Sequence, residues 1–227
     1  MIWNDIINLI FPAECHICGN PLASHEKFIC TGCEKSLPRT GFHRNLFNPM
    51  VERFAGHFPF DKASGHFFYS RDSSLSKLFQ DMKYRGFSSI GDYLGEIAGS
   101  ELFSTGWLSE IECIVPLPMH FLKKAKRGYN QTDHICRGLS AASEIPVVQA
   151  LKMTRQRKTQ TALSRLERLE NAKGLFKVKK GVDLNNKFVL LVDDVCTTGT
   201  TLDAAASTLT TAFPDIHLSL FTLAVTF

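Results

Sequence analysis

The stretch Phe188–Leu202, FVLLVDDVCTTGTTL, limits what this chain can fold into more than any other. Its first five residues are apolar without alternation, the pattern of a strand buried on both faces of a parallel sheet. Two carboxylates follow, Asp193 and Asp194. Thr197-Thr198-Gly199-Thr200-Thr201 then leads into an apolar-periodic helix expected from about Leu202. In an open α/β sheet, ligands bind outside the carboxyl ends of the strands. A helix N-terminus there offers free backbone N–H groups to an anion. Threonine hydroxyls add donors, and Gly199 lets the backbone come close. The turn therefore reads as a cradle for a monophosphate, with an acid pair beside it to hold a polyhydroxylated or cationic group.

Two other strand-plus-acid patterns fit less well. A Walker B strand needs a companion G-x-x-x-x-G-K-[ST] loop, and the sequence contains none. A response-regulator receiver domain needs far more chain after its acids than follows here. The strand, acid pair and Thr/Gly turn instead resemble the ribose-phosphate loop of the type I phosphoribosyltransferases. That resemblance implies that Val195, Cys196, Thr197, Thr198, Gly199, Thr200 and Thr201 wrap the 5-phosphate of 5-phosphoribosyl-1-pyrophosphate (PRPP). It implies that Asp193 and Asp194 are catalytic, facing the ribose 2- and 3-hydroxyls beneath a C1 that becomes cationic as pyrophosphate leaves. Mg²⁺ would accompany PRPP, bridging pyrophosphate and ribose oxygens.

A chain of 227 residues suits one α/β domain with a small appendage. The expected division is an N-terminal helix and four-cysteine zinc module over 1–40, a hood or linker over 41–72, and the phosphoribosyltransferase domain over 73–227. No apolar run reaches the length of a membrane span. The start, MIWNDIINLIF, lacks the basic region of a signal peptide, so a cytoplasmic protein is expected. In that setting seven cysteines read as metal ligands or buried thiols. Charge is uneven. Residues 120–180 hold 15 Lys/Arg against 4 Asp/Glu, whereas the rest holds 11 against 18. Such a basic middle third points to a polyanionic ligand, pyrophosphate or nucleic acid.

Residues 2–11 space their apolar side chains as a short helix ending at Pro12. Next come Cys15-x2-Cys18 and Cys30-x2-Cys33, separated by eleven residues. Two such knuckles put four thiolates at the corners of a tetrahedron, which predicts structural zinc with no open position for catalysis. Cys113, Cys136 and Cys196 read as buried thiols. Residues 40–72, rich in Phe, His and Gly, are the least legible. Helices are expected over 75–84 and 89–103, and a strand over 111–115. A cationic loop follows, with Lys123, Lys124, Lys126 and Arg127 before a helix to about Ala142. Further strands are expected over 146–153, 174–180 and 216–225. Residues 156–170, carrying Arg157, Lys158 and Arg165, read as a cationic lid. Those seven cations are the candidate pyrophosphate ligands.

The Phe-Pro and double C-x-x-C opening, MKYRG at 82–86, VPLP with RGYNQ at 115–131, and the RKTQ…LSRLERLENAKGLF segment together are similar to the bacterial ComF family. That resemblance implies an N-terminal zinc module before a phosphoribosyltransferase domain, linked to competence and the uptake or processing of DNA. It is also the basis of a second reading, a non-catalytic PRPP- or DNA-binding module that meets single-stranded DNA or a competence helicase partner. The sequence holds no glutaminase domain, so purine synthesis from glutamine is not expected. It names neither the acceptor nor the oligomeric state.

Overall fold

The computed structural model describes residues 13–154 and 174–226. Four parallel strands form the main sheet: β1 (Lys62–Phe68), β2 (Cys113–Pro116), β5 (Phe188–Cys196) and β6 (His217–Val225). Their order is β1-β6-β5-β2, which puts the two longest and most apolar strands in the middle. Val189, Leu190, Leu191 and Val192 have no exposed surface. Burial of each contributes roughly 1.5–3 kcal/mol, so a charge at any of them would break the sheet. Two short strands, β3 (Leu151–Met153) and β4 (Phe176–Val178), form a separate antiparallel pair.

Alternate residues of β5 face two cores, as the twofold period of a strand requires. Leu190 and Val192 face helices α3 (Ser74–Tyr84), α4 (Ser89–Ser104) and α6 (Gln131–Ser143). Val189 and Leu191 face α2 (Pro49–Phe54), α7 (Thr200–Ala212) and the β3–β4 pair. Helices α4 and α6 touch backbone to backbone. A Cβ on Gly95 would lie 2.3 Å from the Ile135 carbonyl oxygen, and one on Gly138 would lie 2.0 Å from that of Asp92.

The expected α/β architecture, a parallel sheet flanked by helices with a small N-terminal cysteine module, is what the chain forms. Three details differ from the sequence reading. The stretch 41–72, read as a hood, supplies edge strand β1, whose residues 63–67 are buried. Its Gly and His obscured a strand pattern that tertiary packing enforces. The cationic segment after β2, read as a loop, is a short helix α5 (Phe121–Arg127); its first turn is capped by His120 Nδ1, 3.3 Å from the Leu122 N–H it accepts from. Helix α7 starts at Thr200, two residues early, because left-handed Gly199 caps it. The expected helix over 2–11 and the expected lid lie outside the described residues.

The cysteine module is docked, not appended. It includes α1 (Thr31–Lys35), and Cys15, Ile29 and Leu37 join the core shared with α3 and α4. His16 Nδ1 lies 2.6 Å from Asp81 Oδ2 on α3, and Lys77 Nζ donates to the Ile17 carbonyl at 2.8 Å. Tyr93 Oη on α4 donates to Glu34 Oε2 at 2.5 Å.

Candidate ligand site and metal centre

The ligand site forms where β5 ends. Asp193 is still paired with Thr222 of β6, as are Val195 with Ala224 and Cys196 with Val225. The strand thus runs through the acid pair, and only Thr197, Thr198 and Gly199 make the turn into α7. Both acids are half-buried. Asp193 Oδ1 accepts the Asp194 N–H at 2.8 Å, and Asp194 Oδ1 accepts the Val195 N–H at 2.7 Å. Burial, and then the Asp194 carboxylate beside it, push Asp193 up to about 8. The pair therefore shares a proton near neutrality, as two adjacent carboxylates in a poorly hydrated place must.

Among the described residues, the backbone N–H groups of Thr197, Thr198, Gly199, Thr200 and Thr201 find no acceptor. The Thr198 and Thr200 hydroxyls lie 2.9 Å apart. Five free N–H groups, two of them in the first turn of a 13-residue helix, suit an anion. The Val195 N–H is taken by Asp194, and the Cys196 thiol lies 3.3 Å from Arg53 Nη1.

The turn is fixed from outside by α2, which the sequence did not single out. Arg53 Nη1 donates to the Thr197 carbonyl and Nη2 to the Thr226 carbonyl at 2.9 Å. His57 Nδ1 lies 2.6 Å from Asp203 Oδ2 in the first turn of α7. Gly199 has φ +76°, and a Cβ there would sit 2.9 Å from the Phe54 ring. The Phe54 ring thus occupies the place that a side chain at this position would need.

A second missed residue is Lys83, whose Nζ lies 2.6 Å from Asp194 Oδ2. It comes from MKYRG on α3, about 110 positions away, and no local spacing could have paired them. Of the four expected cations on α5, Arg127 is felt electrostatically by Lys83, and its guanidinium lies 5.4 Å from the Tyr84 ring centroid. Lys123, Lys124 and Lys126 are exposed, and among the described residues none has an acidic partner. Lys124 lines a separate cavity of about 370 Å³ with His134, Arg137 and Gln149. Arg157, Lys158 and Arg165 lie outside the described residues.

At the other site, the sulfurs of Cys15, Cys18, Cys30 and Cys33 all lie within 4.8 Å of one another, close enough to hold one metal ion. Burial opposes ionisation of Cys15, yet the backbone N–H groups of Cys18, Cys30 and Ile17 bring its thiol down to about 6. Burial and the neighbouring thiols push Cys33 up to about 12. The Cys15 thiolate is a negative charge that a cation held among the four sulfurs would neutralise.

A parallel α/β sheet with an acid pair and a donor-rich turn at one strand end, beside a docked four-cysteine module, defines the class of protein. No family model matches the chain. The chain is a homologue of competence and DNA-utilization proteins, which bears out the ComF resemblance. It is 28% identical over 211 residues to competence protein F of Haemophilus influenzae, covering 85% of this chain and 89% of that protein. It is 28% identical to the DNA utilization protein YhgH of Escherichia coli K12, over 88% and 92% of the two chains. It is 24% identical to competence protein ComFC of Bacillus subtilis, over 92% and 76%. A solved structure, the allosteric regulatory enzyme of purine biosynthesis, aligns with 58% of this chain and 26% of its own at 17% identity. Its TM-score is 0.37.

Proposed function

We propose that the protein binds PRPP at the end of β5 and transfers its phosphoribosyl group with release of pyrophosphate, in the handling of DNA in the cytoplasm. The observation that carries this reading is the half-buried acid pair directly followed by a turn of unpaired N–H groups. In it, the Thr197–Thr201 turn receives the 5-phosphate. Asp193 and Asp194 accept hydrogen bonds from the ribose hydroxyls and stabilise positive charge at C1, an electrostatic effect set up before the reaction. The C1–oxygen bond to pyrophosphate breaks, and an acceptor's lone pair forms the new bond to C1. Arg127, with Lys123, Lys124 and Lys126 on α5, faces the departing pyrophosphate. Mg²⁺, held by the ligand's own phosphate and ribose oxygens, would neutralise that pyrophosphate. Zinc in the four-cysteine site is structural, since all four positions are thiolates.

Titration of metal-loaded protein with PRPP, with and without Mg²⁺, tests the reading together with a pyrophosphate-release assay. Mg²⁺-dependent binding at micromolar strength and slow release are expected. Absence of binding at millimolar PRPP overturns it.

A second reading, a non-catalytic module for single-stranded DNA or a helicase partner, is supported by α5 itself. Phe121 and Leu122 are 65% and 54% exposed beside three lysines that have no acidic partner among the described residues. Tyr84, 76% exposed, carries Arg127 against its ring. Exposed aromatics among cations suit a single strand. Affinity for an oligonucleotide should then fall steeply with salt; no affinity at low salt removes this reading.

A further inference from the structure

Two sequence motifs, MKYRG at 82–86 and RGYNQ at 127–131, meet in space beside the acid pair. Tyr129 Oη donates to the Met82 carbonyl. The Arg127 guanidinium lies against the Tyr84 ring. Arg85 Nη1 lies 3.2 Å from Asp81 Oδ1 one turn back on α3. These contacts fix the last turn of α3 on every side of Lys83. The Lys83 ammonium lies over the Phe79 ring, with Nζ 5.3 Å from the centroid, and the side chain is 23% exposed. Its ammonium meets Asp194 Oδ2 at 2.6 Å. The other oxygen of Asp194 is held by the Val195 N–H. Both oxygens are thus engaged, and each keeps a lone pair for a further donor.

We propose that Lys83 is a positioning residue of the acid pair, which fixes Asp194 as an aimed carboxylate and so sets how tightly, and over what pH range, the pair takes the hydroxyls of a phosphorylated sugar. The ligand half of this statement rests on the PRPP reading; the positioning half does not.

The charges around the pair decide the direction of the effect. Asp193 and Asp194 come from β5, Lys83 from α3 and Arg127 from the end of α5; the thiols of Cys136 on α6 and Cys196 on β5 are un-ionised, pushed up by burial. Burial works against the Lys83 ammonium, but the charge and hydrogen bond of Asp194 with the charge of Asp193 together push Lys83 up, so it stays charged and is no general base. Asp193 already stands at about 8 with Lys83 in place, because burial and Asp194 act against its charge. Removing the ammonium removes the group that favours the ionised pair. The pair then holds its shared proton to higher pH, and the minor fraction that is fully ionised near neutrality shrinks further.

The test uses the full-length, metal-loaded protein and has two arms. In the first, carbonyl-¹³C aspartate NMR follows the acid pair without ligand. Lys83→Met should move its titration upward by about one unit, and Lys83→Arg should stay near wild type. Tyr129→Phe, which keeps every charge and frees the end of α3, should move it upward by less; this variant serves if Lys83→Met fails to fold. In the second arm, PRPP-Mg affinity is measured from pH 6 to 9, a range of about three units around the shared proton. Lys83→Met should bind about tenfold more weakly near pH 7 and recover toward wild type as pH rises. An unmoved acid-pair titration in both Lys83→Met and Tyr129→Phe overturns the proposal. A loss of affinity equal at every pH also overturns it, since that marks a structural role alone. A displaced titration in a protein that binds no PRPP supports the positioning role and sinks the PRPP reading.

Discussion

The four-cysteine module and the β5 ligand site are built in opposite ways. The module is local: its four sulfurs come from 19 consecutive residues and lie within 4.8 Å of one another. The ligand site is assembled from afar. Asp193, Asp194 and the turn come from one segment, Arg53 from α2, Lys83 from α3 and Arg127 from α5. Spacing alone reveals the first kind of site. The second kind shows only its contiguous part in the sequence, and its supporting side chains wait on tertiary structure. Helix α3 ties the two together, because Asp81 meets His16 of the module and Lys83, two residues on, meets Asp194.

The sharpest break between the two regions comes from metal removal. Structural zinc sites in small modules contribute about 10–16 kcal/mol of apparent binding free energy near neutral pH. Cys18→Ser, or chelation, should release the ion and expose residues 13–37 to hydrogen exchange. The main sheet should keep its protection, because the core on its other face contains no residue of the module. Loss of protection throughout β5 and β6 would show that the module is part of the sheet's folding unit.

Within the ligand site, Gly199→Ala should cost about 1–3 kcal/mol of stability, since it puts a side chain into left-handed backbone. It also presses a Cβ onto Phe54. Chemical denaturation of the single variant and of Gly199→Ala with Phe54→Leu separates these causes. The double variant should regain only the contact part. Full recovery would show that backbone strain is unimportant at the turn.

An effect seen only on the acid side should appear at the β1 edge. His66 is 2% exposed, with neither ring nitrogen hydrogen-bonded among the described residues. Burial, then the charges of Arg39 and His43, push it down to about 3. The unfolded chain takes up a proton near pH 6.5, and the folded protein does not until about 3. Stability from this residue is therefore complete above about pH 6.5 and is lost as pH falls toward 3. Unfolding curves between those limits should flatten in His66→Leu. An unchanged acid limb contradicts the assignment.

Sequence legibility follows the same divide. The continuous apolar run of β5, the helices near 75–84 and 89–103, and the cysteine spacing were all readable, because local pattern and final environment agree. Strand β1 was not, since KASGHFF has a glycine and a histidine where a strand signal needs apolar side chains, and only pairing with β6 makes it one. The cationic stretch after β2 misled for another reason. Its lysines read as loop, yet FLKKAKR has good helix formers and a His120 cap. Arg53 and Lys83 carried no local signal. MKYRG stood out as a motif, but its lysine gained a role only beside Asp194.

If the acid pair and the turn form one PRPP site, calorimetric titration of wild type and Asp194→Asn with PRPP in the presence of Mg²⁺, alongside a thermal melt of each, shows it. Wild type should bind at micromolar strength and the variant at least about a hundredfold more weakly, the scale seen when a key electrostatic group is removed, with the melt showing a folded protein. Equal affinity in the two proteins, or no binding by either, would contradict it.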